Sequence, residues 1–267
     1  MADADRWRDA VRSQVGGWTH VGFASERLDG QPEAGASVEA WARAGRYAAL
    51  SRMARVAGSG LVLLAHHRRD QAETFLLQAL RGAGAAGLAA MPRLAERDGI
   101  AWARPWLDMP RDAIVTYAAE RGLSGVDDPS NRDPRFARAR LREAVWPALF
   151  GAFPDAEATL AAAARRVAAA RESADVRVEA LLPTVSGGDG TLDLASWRDL
   201  GDADERTLVL HAWLARSMAV APPATLVERL TLEADGRGKR WPAPGGAIVS
   251  RRGRLAFERT KTPEASA

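Results

Sequence analysis

Side chains that can bind a cation or transfer a proton cluster at one point of the sequence, at His66, His67, Asp70 and Glu73. Imidazoles and carboxylates are the groups that most often transfer protons in enzymes. They follow an apolar run at residues 61–65, which is typical of a strand buried on both faces in a parallel sheet. Because ligands of open α/β sheets bind outside the carboxyl ends of the strands, this turn is a candidate active site.

The same four residues also have a structural interpretation. Asp70 can be the N-cap of the helix that follows, and Glu73, three residues later, can close a capping box. His66 and His67 can simply be polar surface residues. The residue types alone leave the catalytic and the structural interpretation open.

Two longer blocks of sequence contain these residues and extend beyond them. The first reads His-His-Arg-Arg-Asp-Gln-Ala-Glu-Thr at 66–74, Arg-Gly-Ala-Gly at 81–84 and Gly-Leu-Ala-Ala-Met-Pro at 87–92. The second reads Arg-Pro-Trp-Leu-Asp at 104–108, Tyr117, and Asp-Pro-Ser-Asn-Arg-Asp-Pro-Arg-Phe-Ala-Arg-Ala-Arg-Leu-Arg at 128–142. In this order the two blocks resemble the tRNA(Ile)-lysidine synthases, whose first block reads His-His-x-Asp-Asp-x-x-Glu-Thr.

The resemblance runs clearly from about Ser37 to Leu149 and more faintly to the end of the chain. It implies a pyrophosphate-loop (PP-loop) ATPase with an α/β fold, in which a partial parallel sheet forms a Rossmann-like, adenine nucleotide α-hydrolase-like domain. A long linker helix and a small α+β substrate-binding domain follow. The expected boundaries are 1–150 for the incomplete catalytic domain, 151–182 for the linker helix, 183–260 for the tRNA-binding domain and 261–267 for a disordered tail.

The resemblance also implies an activity, the ATP-dependent ligation of lysine to the wobble cytidine of tRNA(Ile) with a CAU anticodon. ATP first adenylates the carbonyl oxygen at C2 of the cytidine, and the amine of free L-lysine then displaces AMP to give lysidine. The implied cofactors are ATP and Mg²⁺, and the implied partners are tRNA(Ile), L-lysine and ATP. No membrane partner is expected, and no metal ligand is assigned.

Residue roles follow from the resemblance. Asp70 and Glu73, one helical turn apart, occupy the positions that would hold the lysine ammonium, and His66 and His67 would border the nucleotide. The implied tRNA or phosphate contacts are Arg81, Asn131, Arg138, Arg140 and Arg142. The spacing places Arg138 and Arg142 on one helix face and turns Arg140 elsewhere, and a solvated basic face is the alternative interpretation.

Three departures from the family pattern stand out. Arg69 replaces the first Asp of the family motif, and Ala139 replaces the usual Asn of Arg-Asn-Arg. The family's phosphate-binding Ser-Gly-Gly-x-Asp-Ser loop does not occur. Val-Gly-Gly-Trp-Thr at 15–19 lacks its serine and aspartate, and Ser-Gly-Gly-Asp-Gly at 186–190 lies after the linker helix, where we interpret it as a hairpin loop. We therefore expect an amino-terminally shortened member that does not form the adenylate unaided.

A literal Gly-x-Gly-x-x-Gly string at 82–87 follows a helix rather than a strand, so we reject a dinucleotide site there.

Other local patterns predict the elements around the site. The predicted helices are 3–14, 38–57 with Ser37 as N-cap, 110–121, 156–182, 202–217 and 224–232. The predicted strands are 19–23, 61–65, 100–106, 191–194, 240–241 and 247–257 with a turn at Gly253. Residues 19–65 are expected to form one β-α-β unit.

Composition narrows the functional classes. The net charge of +3 is compatible with a polyanion partner but does not require one, and the absence of cysteine excludes disulfides, thiolate metal sites and a cysteine nucleophile. No segment is long enough to cross a bilayer and no signal sequence is present, so we expect a cytoplasmic protein.

Trp241 is expected in the core, although stacking on a base is the alternative. Basic residues near it are expected to contact RNA: Arg237, Lys239, Arg240, Arg251, Arg252 and Arg254.

Two other functions deserve comparison. A tRNA thiolase of the PP-loop ATPase type commonly uses cysteines, and this chain has none. A non-catalytic tRNA-binding remnant would keep the basic second domain without an ATP site. Salt-dependent tRNA binding without ATP affinity would favour the remnant over the ligase. The sequence does not indicate an oligomeric state.

Overall fold

The computed structural model describes residues 2–33, 35, 37–123, 125, 129–218, 220–234 and 238–260. The chain divides into two compact units, Met1–Ala168 and Ala169–Ala267, so the division falls inside the segment expected to be the linker. The functional domain boundaries stay a prediction. The expected disordered tail, Arg237 of the basic cluster and Asp128 of the second block lie outside the described residues.

The first unit contains a three-stranded mixed sheet. Its strands are β1 (Leu61–Leu63), β2 (Leu94–Arg97) and β3 (Ile100–Ala103), in the order β1-β3-β2. β1 pairs with β3 in parallel, with Leu61 opposite Ala101, while β2 pairs with β3 in antiparallel register. The predicted α/β class with a parallel sheet component is therefore confirmed.

Nine helical segments surround this sheet or continue from it among the described residues of the first unit. They are α1 (Ala2–Val15), α2 (Val38–Val56), α3 (Arg68–Ala79), α4 (Ala85–Leu88), α5 (Arg111–Glu120), a 3₁₀ turn (Pro129–Arg132), α6 (Ala137–Arg140), a π-helical turn (Leu141–Val145) and α7 (Trp146–Ala152). The helix α8 (Ala156–Val185) begins in this unit. Ser37 caps α2 as predicted, because its hydroxyl accepts a hydrogen bond from the amide of Ala40.

Two strand predictions in this unit are wrong. Residues 19–23 form a turn and irregular backbone, since no described strand pairs with them and Val21 is 49% exposed, so the expected β-α-β unit is not formed. The run at 61–65 gives a strand of three residues that is not buried on both faces. Val62 and Leu64 pack with Trp102 and α2, whereas Leu61 and Leu63 are exposed because no described element covers the other face of β1.

The second unit is an antiparallel sheet with helices packed on it. Its strands are β4 (Leu192–Asp193), β5 (Arg240–Ala243), β6 (Gly246–Arg251) and β7 (Arg254–Arg259), in the order β4-β7-β6-β5. The helices are α9 (Leu194–Arg198), α10 (Ala203–Met218) and α11 (Ala224–Glu233). The apolar faces of these helices and of the sheet pack with the end of α8 into one hydrophobic core. Helices packed on an antiparallel sheet agree with the α+β character predicted for this region.

Two further predictions for this unit are confirmed. The Ser-Gly-Gly-Asp-Gly string forms a tight turn, since Ser186 bridges to Leu192 and the Gly187 amide donates to the Thr191 carbonyl. Trp241 is a core residue that is 1% exposed, and its indole N–H donates to Glu233, so it is not placed to stack on a base. Among the residues that the structure describes, no helix has the length and apolar character needed to cross a bilayer.

Candidate active site

The two acids of the sequence cluster lie in the first two turns of α3. Helix α3 begins at Arg68 with His67 at its N-cap, so Asp70 is not the N-cap that the structural interpretation of the sequence allowed. Asp70 is instead the third helical residue, and its Oδ2 accepts the amide N–H of His67 at 3.0 Å. This bond caps the helix from within, because an acid in the first turn satisfies an amide that has no helical partner.

Glu73 is completely buried, with no exposed surface, and is surrounded by donors. Arg142 binds it at two points, with Nε 2.7 Å from Oε1 and Nη2 2.8 Å from Oε2. The indole N–H of Trp146 lies 3.2 Å from Oε1, and the Nε of Arg138 lies 3.3 Å from Oε2. A buried carboxylate requires this degree of pairing, because an unpaired charge away from water is very costly.

Asp70 shares the same cation. The Nη2 of Arg142 lies 3.1 Å from its Oδ1, and the Nε2 of His67 lies 3.4 Å from its Oδ2. Burial acts to lower the pKa of Arg142, but the hydrogen bond that Arg142 donates to Glu73 and the charges of both acids outweigh burial and raise that pKa above its ordinary value. Arg142 is therefore charged at neutral pH, and the two acids face a permanent positive group.

The two histidines are neutral at physiological pH. Burial lowers the pKa of His66 to about 4, with Asp70 opposing the shift and Arg104, Arg138 and Arg43 adding to it. Burial also lowers the pKa of His67. Because a neutral imidazole has one N–H donor and one acceptor nitrogen, each ring can hydrogen-bond to an uncharged polar ligand.

Three buried nitrogens in this part of the unit have no hydrogen-bond partner among the described residues: Nδ1 of His66, Nδ1 of His67 and Nε of Arg104. Arg104 is 5% exposed and is held in place by the Pro92 carbonyl and the Tyr47 hydroxyl. Buried polar atoms are normally paired, so unpaired ones require an explanation. A polar ligand at the end of β1 would supply the missing partners.

Comparison with known proteins identifies the family. Residues 1–149 match the PP-loop domain family. The tRNA(Ile)-lysidine synthase of Bordetella parapertussis is 40% identical to the chain over 268 residues, which cover 96% of this chain and 77% of that protein. The enzyme of the same name from Ralstonia nicotianae is 37% identical over 269 residues, covering 99% of this chain and 57% of that protein.

The chain belongs to the tRNA(Ile)-lysidine synthase family. The resemblance inferred from the two sequence blocks is therefore confirmed, together with the ATP-binding PP-loop character of the first unit.

Within this family member, the structure brings together five of the residues singled out in the sequence: His67, Asp70, Glu73, Arg138 and Arg142. His66 lies beside them, where it is influenced by the charges of Asp70 and Arg138. The common face predicted for Arg138 and Arg142 is confirmed, since both guanidinium groups reach Glu73.

The remaining predicted contacts lie apart from this cluster. Arg140 points elsewhere, as its spacing predicted, and donates to the carbonyls of Pro134 and Arg135. Arg81 and Asn131 are exposed, the first just after α3 and the second in the 3₁₀ turn. Their contact with tRNA stays a prediction.

The two substitutions within the family motifs have simple local consequences. Arg69 donates from Nε to Oε2 of Glu157 at 3.1 Å, and Arg68 donates to the other oxygen of the same carboxylate at 2.9 Å. Ala139 is 3% exposed, so its small side chain fits a packed position.

Sequence reasoning missed the role of Trp146, which is 3% exposed and donates to Glu73. The signal that could have revealed it is the spacing of Arg142 and Trp146, which places both side chains on one helix face. It also missed Arg104, which belongs to the second block but received no role there.

Proposed function

We propose that this family member joins free L-lysine to C2 of the wobble cytidine of tRNA(Ile) with a CAU anticodon, in a reaction driven by ATP. The observation that carries the proposal is the identity of about 40% to the Bordetella tRNA(Ile)-lysidine synthase, spread over nearly the whole of this chain. Neither a tRNA thiolase nor a non-catalytic remnant gains support from the comparisons. The buried acid cluster on α3 supplies a place for the lysine.

The two acids are suited to different parts of that task. All the described partners of Glu73 are donors that already surround it, so its charge fixes Arg142 and contributes negative potential. Asp70 accepts one bond at each oxygen, and a carboxylate can accept about four in total. We therefore propose that Asp70 contacts the lysine ammonium directly and that Glu73 supports it.

The amine that reacts must be unprotonated, whereas a carboxylate pair favours a protonated amine. We therefore propose that the acids hold the α-ammonium group and leave the side-chain amine free. The bond between that nitrogen and C2 then forms, the bond between C2 and the adenylate oxygen breaks, and AMP leaves with the electron pair. Holding both reactants in this geometry replaces an encounter in solution by a reaction within one complex.

The neutral imidazoles are proposed to border the nucleotide. Among the residues that the structure describes, Nδ1 of His66 and Nδ1 of His67 have no partner, and neither has Nε of Arg104, which is close enough to influence His66. Neutral donors and one buried cation suit a base or ribose hydroxyl beside a phosphate. This assignment gives the unpaired nitrogens the hydrogen-bond partners that the described residues do not supply.

Mg²⁺ is expected to accompany ATP, but these residues do not fit a resident metal ion. Among the described residues, no group of three His, Cys, Asp or Glu side chains is arranged to hold one. Asp70 and Glu73 are engaged by Arg142 instead. We therefore propose that any Mg²⁺ arrives with the ATP phosphates as part of the substrate.

The adenylation step requires a phosphate-binding loop. No Ser-Gly-Gly-x-Asp-Ser string occurs in the sequence, and the string that resembles it in letters is the tight turn after α8. Dependence of adenylation on such a loop stays a prediction. ATP–pyrophosphate exchange in the presence of tRNA(Ile) measures this step separately from lysine transfer.

The function is tested by incorporation of labelled L-lysine into tRNA(Ile) with a CAU anticodon. Two proteins are compared, the 267-residue chain and the same chain preceded by a strand and a Ser-Gly-Gly-x-Asp-Ser loop. We expect ATP-dependent incorporation by the loop-bearing protein and none when the wobble cytidine is replaced by uridine. Failure of both proteins to incorporate lysine, with tRNA bound, would overturn the proposal. Incorporation by the chain without the loop would support lysidine formation and overturn only the predicted need for the loop.

A further inference from the structure

A second feature of the first unit lies on the outer side of the acid cluster. It is an open cleft of about 400 Å³, here called the arginine cleft. Its lining residues are Arg69, Arg111, Arg142, Glu143, Trp146, Pro147 and Phe150. Three guanidinium groups face one carboxylate, so the cleft is suited to an anion.

The three arginines retain unused donors. Arg69 makes its hydrogen bond through Nε, which leaves both of its Nη groups without partners among the described residues. Arg142 uses Nε and Nη2 for the acids, which leaves Nη1. Arg111 is exposed and makes no hydrogen bond or ion pair to any described residue. The arginine cleft therefore offers several N–H donors from three separate elements.

One of these cations, Arg69, is held in a fixed position by an aromatic residue that lines the cleft. The guanidinium of Arg69 lies 5.1 Å from the centre of the Phe150 ring, and Phe150 stacks on Trp146 with 5.0 Å between ring centres. Trp146 is itself fixed by its bond to Glu73, and Arg69 by its bond to Glu157. A cation held before binding loses less conformational entropy when a ligand arrives.

We propose that the arginine cleft binds a phosphate of the tRNA backbone. The identity of the polynucleotide rests on the proposed function, whereas the preference for a phosphate rests on the three guanidinium groups. Arginine pairs with phosphate through two parallel hydrogen bonds, and most contacts that position a nucleic acid go to its phosphates. Arg142 would then contact the tRNA on one side and the acids Asp70 and Glu73 on the other.

The arginine that best tests the cleft is Arg111, because it is exposed and makes no hydrogen bond or ion pair to any described residue. Arg121, which follows the last residue of the same helix α5, is the matched control with the same charge. Equilibrium binding of tRNA(Ile) by the 267-residue chain is measured at several salt concentrations, without lysine or ATP. A lost phosphate contact lowers the slope of log K against log salt by about one unit.

We expect Arg111→Ala to weaken tRNA binding about five- to tenfold at low salt and to reduce the salt slope by about one, while Arg121→Ala changes neither by as much. Arg111→Lys should recover part of the affinity, since it keeps the charge but loses the paired donors. Equal effects of Arg111→Ala and Arg121→Ala, or no effect of either, would overturn the proposal. A loss of ATP or inorganic phosphate binding with unchanged tRNA binding would also overturn it, since the anion would then not be RNA.

This measurement is independent of catalysis. A chain that binds tRNA through Arg111 but never incorporates lysine would contradict the proposed function and leave the cleft assignment standing. If the chain incorporates lysine but Arg111→Ala leaves the salt slope of tRNA binding unchanged, the proposed function would stand and the cleft assignment would be contradicted.

Discussion

Arg142 and Glu73 form a two-point ion pair, with nitrogen–oxygen distances of 2.7 and 2.8 Å, although they lie 69 residues apart in the sequence. The pair joins the first turns of α3 to the π-helical turn that carries Arg142. π-Helical turns are rare in proteins as a whole, and those that occur frequently lie at functional sites. The buried acid, its cation and the neighbouring Asp70 form one electrostatic unit.

Replacing Arg142 by methionine should destabilise the protein. Glu73 would remain buried with Arg138 as the only described cation to offset its charge, and removal of one partner from a buried pair costs about 3–5 kcal/mol. Denaturant unfolding measures this change, with Arg140→Met as the control, because Arg140 is exposed and its described hydrogen bonds go to backbone carbonyls. A loss no larger than that of the control would show that the pair contributes little.

The hydrogen bond from Trp146 to Glu73 can be tested by Trp146→Phe. This substitution removes a donor from a buried carboxylate, for which we expect a loss of about 1–3 kcal/mol beyond the cost of the smaller ring. Trp102→Phe is the matched control, since Trp102 is also buried but its indole nitrogen has no described partner. Thermal unfolding of both variants separates the two contributions. Equal destabilisation by the two would argue against a stabilising bond at Trp146.

Acid should destabilise the first unit through His66. The pKa of this residue is lowered from 6.5 to about 4 in the folded protein, chiefly by burial, so the unfolded chain binds its proton first. The stability is fully present above the unfolded value and is lost as the pH falls from about 6.5 towards 4. Because the ring is only partly buried, we expect a loss on the order of 1–2 kcal/mol.

This pH dependence is measured by denaturant unfolding at about pH 7 and about pH 5. His66→Asn keeps a polar side chain but cannot titrate, so the difference between the two pH values should become smaller. An unchanged difference would assign the effect to other groups, of which His67 is the nearest candidate, because burial also lowers its pKa.

Local patterns predicted most of the helices, because their signals lie within a few residues. Ser37 before an amphipathic run correctly marked the start of α2, and the four-residue spacing of Arg138 and Arg142 correctly placed them on one face. The stretch at residues 19–23 misled the prediction, because a strand also needs a partner strand, which local sequence does not reveal.

The site was predicted in part. Its acids and histidines were identified from residue types and from the family resemblance, but the cation between them was not. The pairing of Arg142 with Glu73 depends on the approach of two distant helices, and no periodicity encodes it. For the same reason the sequence did not reveal that Arg69 lies over Phe150 in the arginine cleft.

The most direct test of the account is the lysine dependence of incorporation after Asp70→Asn in the loop-bearing protein. We predict that the KM for lysine rises at least tenfold, which corresponds to about 1.4 kcal/mol of lost binding, while the KM for tRNA(Ile) is unchanged. Asp112→Asn, an exposed acid in the first turn of α5, is the control and should leave the KM for lysine as it is. A folded Asp70→Asn protein with an unaltered KM for lysine would contradict the claim that Asp70 binds the amino acid.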